Sequence, residues 1–179
     1  RYCSVIAWYE NVDGVGGSWT THEISTTADY AQSVFAIDVD GDGDVDVLSA
    51  SANDDTIAWS ENADGVGGAW TYHVISTSAG GAHSVFAIDV DGDGDLDALS
   101  ALWMDNTIAW YEKVNSDWIE HVISTSADYA LSVFAIDVDG DGDVDALSAS
   151  VNDNTIAWYE NADGVGGSWT YHEISTEAD

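Results

Sequence analysis

Basic side chains are almost missing from this 179-residue chain. Arg1 and Lys113 are the two, against 34 aspartates and glutamates, and the formal net charge is −32. Binding to a phosphate backbone releases counterions through Lys and Arg, so nucleic acid is excluded as a partner. Attraction to an anionic membrane surface by charge is excluded on the same ground. Proline is absent, which leaves Gly, Asn and Asp to make the turns. Cys3 is the one cysteine, so no intrachain disulfide exists and the redox compartment cannot be read from it. No apolar run reaches membrane-spanning length, and neither a membrane span nor a signal-peptide pattern is expected. Position 1 is Arg rather than Met, from which a processed or partial chain is expected.

What is present is a repeat. Ile-Ala-Trp recurs from Ile6, Ile57, Ile108 and Ile156, and Ser-Val-Phe-Ala-Ile-Asp-Val-Asp-Gly-Asp-Gly-Asp from Ser33, Ser84 and Ser132. The spacing is 51 residues, shortened to 48 at the last step. The shortening has a visible source: eight residues separate Glu61 from Trp70, and only five separate Glu112 from Trp118. Those residues belong to a turn, where loss is tolerated.

Each unit reads as four short strands, A to D. In the middle unit these are predicted at about Ser84–Val90, Leu96–Leu102, Thr107–Glu112 and Trp118–Ser124. In strand C, Ile108 and Trp110 fall on one face and Ala109 and Tyr111 on the other. Four strands per repeat of roughly 50 residues imply an all-β propeller of four-stranded antiparallel blades. The expected divisions are a half blade at 1–29 (strands C and D) and blades at 30–80, 81–128 and 129–179. Three and a half blades do not close a ring, so further blades, from a longer parent chain or another polypeptide, are expected as partners.

The acidic residues do not form a tail; they recur between hydrophobic strands. Between A and B each unit carries Asp-x-Asp-x-Asp-Gly-x-x-Asp: Asp38, Asp40, Asp42, Gly43 and Asp46; Asp89, Asp91, Asp93, Gly94 and Asp97; Asp137, Asp139, Asp141, Gly142 and Asp145. Five aspartates within nine residues, counting Asp44, Asp95 and Asp143, repel one another if no cation sits among them. Calcium takes six to eight hard oxygen ligands, and alternate carboxylates on a tight loop supply them. Side chains are expected from positions one, three, five and nine, and a backbone carbonyl from position seven (Asp44, Asp95, Asp143). Three Ca²⁺ ions are therefore expected, one per loop. An EF-hand needs Glu at position twelve; Ser49, Ser100 and Ser148 stand there, which excludes it.

The Val-Phe-Ala-x-Asp-x-Asp-Gly-Asp-Gly-x-x-Asp pattern resembles the FG-GAP/VCBS repeat family, the integrin-α-type calcium-binding β-propeller, across essentially the whole chain. The resemblance implies a ring of typically seven blades with calcium in each A–B loop. The family's Phe-Gly and Gly-Ala-Pro segments do not occur in that form, which favours the VCBS-like branch, common in secreted and surface proteins. An extracellular or cell-surface location is the corresponding expectation.

Other repeated features have plain structural readings. Asp-Gly-Val-Gly-Gly, at Asp13–Gly17, Asp64–Gly68 and Asp163–Gly167, lacks the Lys and the following helix of a phosphate loop and reads as a C–D turn. His22, His73, His121 and His172 share one strand D position, and Trp8, Trp59, Trp110 and Trp158 are expected in the packing between blades. Nearly every polar group has a copy in each repeat, whereas a catalytic site is a singular constellation. A binding module for adhesion, matrix, carbohydrate or protein is thus expected rather than an enzyme; the alternative is a non-catalytic propeller segment of a larger secreted enzyme. The middle blade departs from its neighbours: Leu102, Trp103 and Met104 replace Ser-Ala-Asn or Ser-Val-Asn, and Gly80, Gly81 and His83 replace an Asp, a Tyr and a Gln or Leu. Both departures are expected on the face opposite the aspartates. With the Tyr lost, His83, Leu102, Trp103 and Met104 are expected to form a ligand site there.

Overall fold

A computed structural model describes residues 4–178; Cys3 and Arg1 lie outside the described residues. Among the described residues there are fourteen strands and no helix. A two-stranded sheet pairs β1 (Ile6–Asn11) with β2 (Trp19–Ser25). Three four-stranded antiparallel meanders follow. The first is β3 (Ala31–Ile37), β4 (Asp46–Ser51), β5 (Thr56–Asn62) and β6 (Trp70–Ser76). The second is β7 (Ala82–Ile88), β8 (Asp97–Leu102), β9 (Thr107–Val114) and β10 (Asp117–Ser124). The third is β11 (Ala130–Ile136), β12 (Asp145–Ser150), β13 (Thr155–Asn161) and β14 (Trp169–Ser175). These are propeller blades, and the ring they begin is not closed.

The sheets stack because inner strands such as β8 and the first part of β9 are buried on both faces, with alternate residues serving different neighbours. Ala109 and Tyr111 of β9 pack into the core shared with the first meander, beside Leu48, Trp59 and Ile75. Ile108 and Trp110 pack into the core shared with the third, beside Ala127, Val133 and Tyr159. One strand thus contributes to two separate cores. Small residues, Ala98, Ala101 and Ala109, let the sheets approach and are fully buried.

The first strands of the meanders lie side by side. Phe35, Phe86 and Phe134 form a ladder with ring centroids 4.6 Å apart at each step. The Val85 N–H donates to Ser33 Oγ at 3.3 Å, and the Val133 N–H to Ser84 Oγ at 3.2 Å. These bonds cross from blade to blade at the same register. At the two ends of the stack apolar side chains are exposed: Val34 and Tyr9 at one, Phe134 and Ile136 at the other.

Candidate metal centres

Each A–B join folds around the first aspartate of its motif. Asp38 accepts the Gly41 N–H on Oδ1 (2.8 Å) and the Gly43 N–H on Oδ2 (2.9 Å), which draws the loop into a coil. Asp40 then accepts the Asp42 N–H and Asp42 the Asp44 N–H, each two residues on, as Asx turns do. The same four bonds recur from Asp89, Asp91 and Asp93, and from Asp137, Asp139 and Asp141. Gly43, Gly94 and Gly142 have φ of 98°, 97° and 103° with no atom within 4 Å of a Cβ built there, so backbone conformation, not crowding, requires the glycine.

The ninth-position aspartate ties the loop to the blade. Asp97 Oδ2 accepts the Val90 N–H from within the loop, and Oδ1 the Lys113 N–H at the end of strand C, both at 2.9 Å. Asp46 does the same with Val39 and Asn62, and Asp145 with Val138 and Asn161. All three carboxylates are about 1% exposed.

The loops bring carboxylates into groups that could hold a metal ion: Asp38, Asp40 and Asp42; Asp89, Asp91 and Asp97; Asp137, Asp139 and Asp145. In each group one ligand atom per residue lies within 4.8 Å of the others. The first group joins positions one, three and five, the other two positions one, three and nine. Asp44 and Asp143 turn away from these groups and pack on Gly65 and Gly164 of the C–D turns.

The electrostatics favour a cation. Burial pushes the Asp97 carboxyl up to about 7; the Lys113 and Val90 N–H groups oppose this, and the charges of Asp91 and Asp93 add to it. Asp46 is raised by burial against the N–H groups of Asn62 and Val39, with Asp40 and Asp42 adding their repulsion. Asp91 is raised by burial and by the charges of Asp93, Glu112 and Asp89, against the Asp93 N–H. Asp139 is raised in the same way, with Asp141, Asp145 and Glu160 contributing. Oxygen donors without nitrogen or sulfur suit a hard cation.

The FG-GAP-like repeat matches the chain at residues 3–49, 38–100 and 89–148. The chain belongs to the FG-GAP-like repeat family. The first matched FG-GAP-like repeat runs from the β1–β2 pair into β4, so the sequence unit straddles two blades and has an aspartate loop near its end. No curated protein matches the chain.

Sequence reasoning did not find the unit formed around the repeated histidines. Trp8, Trp59, Trp110 and Trp158 pair across strands with His22, His73, His121 and His172. The rings stack at centroid distances of 4.2, 4.4, 4.5 and 4.2 Å. Each His Nε2 meets Glu10, Glu61, Glu112 or Glu160 at 3.0, 2.8, 2.7 and 2.7 Å. The period-2 spacing of Trp and Glu in strand C placed both on one face and was the available signal.

The middle-blade residues do not form the expected surface. Leu102 is 1% exposed and packs between the first two meanders beside Ile75 and Ala79, so it cannot touch a ligand. Trp103 is half-buried and lies against Tyr129 at 4.8 Å; a Cβ on Gly81 would meet its Nε1 at 2.5 Å. The space left by the missing Tyr is filled by Trp103 itself. His83 is half-buried with Nδ1 2.8 Å from the Leu131 carbonyl, and Met104 is the exposed member at 52%.

Proposed function

We propose that this chain is a calcium-binding propeller module of the cell exterior, non-catalytic, in which the ions are structural and the blades present a surface for adhesion, matrix, carbohydrate or protein binding. The observation that carries this reading is the ninth-position aspartate. It joins its loop to strand C by two backbone hydrogen bonds and, in two blades, stands within the group that could hold a cation. An ion held there fixes the A–B loop, and the loop fixes the relation of strand B to strand C.

In this reading Ca²⁺ is bound by side chains at positions one, three, five and nine and by the carbonyl of Asp44, Asp95 or Asp143. The blades are 1–29 (half), 30–80, 81–128 and 129–179, and further blades of the same type complete the ring. Family membership supports the extracellular assignment. Calorimetric titration of chelator-treated protein tests it: three Ca²⁺ per chain are expected, with Mg²⁺ a poor substitute because it demands octahedral geometry and keeps its waters. Absence of saturable calcium binding by the folded chain would sink the reading.

A further inference from the structure

At two junctions between blades, indole N–H groups from both sides converge on one carbonyl oxygen. Trp8 and Trp70 donate to Gly67 at 3.0 and 3.1 Å. Trp110 and Trp169 donate to Gly166 at 3.3 and 2.9 Å. In both, the glycine belongs to the long C–D turn, held by an Asn at the end of strand C: Asn62 Oδ1 accepts the Gly67 N–H, and Asn161 Oδ1 the Gly166 N–H.

The junction between the first two meanders is built differently. Its C–D turn is the one shortened by three residues, and only Asn115 and Ser116 separate β9 from β10. Lys113 stands where Asn62 and Asn161 stand elsewhere, and its Nζ donates to the Val39 carbonyl at 2.8 Å. That is the role Asn161 Nδ2 plays toward the Val90 carbonyl. The substitution keeps the bridge between blades, but the glycine carbonyl that receives two tryptophans has no counterpart. Where the long turn would lie there is a cavity of about 390 Å³, lined by Trp59, Trp118, Tyr72, Lys113, Asn115 and Ser116 among others. The cavity at the first junction, bordered by Trp8, Gly67 and Trp70, has its carbonyl in place.

We infer that this cavity is a binding site for an uncharged sugar residue carrying an acetamido group. The missing atom is an amide oxygen, so an amide oxygen is the natural replacement for it. The Tyr72 ring, 44% exposed, and the half-buried Trp118 suit the apolar face of a pyranose, and Asn115 and Ser116 supply polar groups at the rim. A carboxylate or sulfate would also accept hydrogen bonds, but the −32 chain repels it, and the Lys113 ammonium is already engaged by Val39. The inference deepens the reading of the chain as a binding module and is independent of the ions.

Tryptophan fluorescence and calorimetry of the full chain with N,N′-diacetylchitobiose test it, calcium stoichiometry being measured on the same samples. Saturable binding is expected, with cellobiose, which lacks the acetamido oxygen, at least about tenfold weaker, as when a site's donors are left unpaired. Replacing residues 113–117 by the eight-residue turn at 62–69 restores the glycine carbonyl that this junction lacks. That graft is expected to abolish sugar binding and keep three calcium ions. Should the graft fold poorly, Tyr72→Ala, at an exposed wall, is expected to weaken binding by about tenfold with calcium unchanged. Calcium binding without any sugar response, or a graft that binds as well as the parent, overturns this inference and leaves the module reading standing. Equal binding of cellobiose overturns the acetamido assignment.

Discussion

Asp97 accepts the Lys113 N–H at 2.9 Å, and through it the second aspartate loop is fastened to the end of its own strand C. The other oxygen of the same carboxylate accepts the Val90 N–H, so a buried acid satisfies two backbone donors that have no ladder partner there. Asp97→Ala leaves both donors buried and unpaired, at about 1–3 kcal/mol each. Chemical denaturation is therefore expected to show a loss of several kcal/mol whether or not calcium is present. A loss confined to calcium-containing buffer would show that the backbone bonds are unimportant.

Asp91 behaves differently: the N–H it accepts, from Asp93, is exposed, and it lies among the charges of Asp93 and Asp89. In chelator, Asp91→Ala removes repulsion and is expected to leave stability unchanged or slightly raised. In calcium it is expected to remove one ion per chain, with the stabilisation that ion gives by mass action: about 2.7 kcal/mol at a hundredfold excess over Kd. Asp95→Ala, at a position proposed to ligate through its carbonyl, is expected to have little effect in either buffer. Thermal unfolding of the three proteins with calcium and with chelator makes the comparison.

Gly166 and Gly16 occupy the same place in their turns, with φ of 71° and 82°. A Cβ on Gly166 would meet Trp110 at 2.5 Å, whereas one on Gly16 meets nothing within 4 Å. Both Ala variants carry the backbone penalty of roughly 1 kcal/mol. Gly166→Ala is expected to cost about 1–3 kcal/mol more, the cost of overpacking the junction and disturbing the Trp110 hydrogen bond. Equal melting temperatures for the two variants would refute this account of the junction.

Gly81 and Trp103 are a matched pair. Tyr30 and Tyr129 hold the equivalent of the Gly81 position at φ of 59° and 63°, so a Tyr is conformationally tolerated there. Gly81→Tyr alone is expected to destabilise, because its Cβ would enter the space of Trp103 and Met104. Combined with Trp103→Ala, most of that loss should return, a coupling of about 1 kcal/mol or more in a double-mutant cycle. Strictly additive effects would mean that the two residues do not compete for space.

The contrast between these sites shows what the chain makes legible before it folds. Period-2 alternation in Thr107–Glu112 gave both faces of strand C correctly, and turn chemistry marked every join, because those signals are local. The aspartate loops were legible for the same reason: their hydrogen bonds run two to five residues along the chain. The seating of Asp97 on Lys113, 16 residues away, left no local trace. Nor did the stacking of Trp59 on His73, although both residues stood out as repeated. Leu102 was misjudged because a change from Ser to Leu next to a turn is equally compatible with a surface patch and with a filled core; only the neighbouring blade decides. The loss of the Tyr was expected to open space beside Trp103, but Trp103 itself occupies that space.

The Ser33–Val85 and Ser84–Val133 hydrogen bonds, with the phenylalanine ladder beside them, join each inner strand to its immediate neighbours and to nothing further. Cooperativity in such a molecule is a nearest-neighbour quantity, as in a one-dimensional array of repeats. In these 179 residues taken by themselves, the outer units have one stabilising neighbour where the inner ones have two, so opening of that isolated segment begins at its ends and moves inward. Amide hydrogen exchange along the chain should therefore read as a gradient rather than a single step, slowest in β7 to β9. Closing the circle would convert that gradient into an all-or-none transition without changing one contact inside any blade.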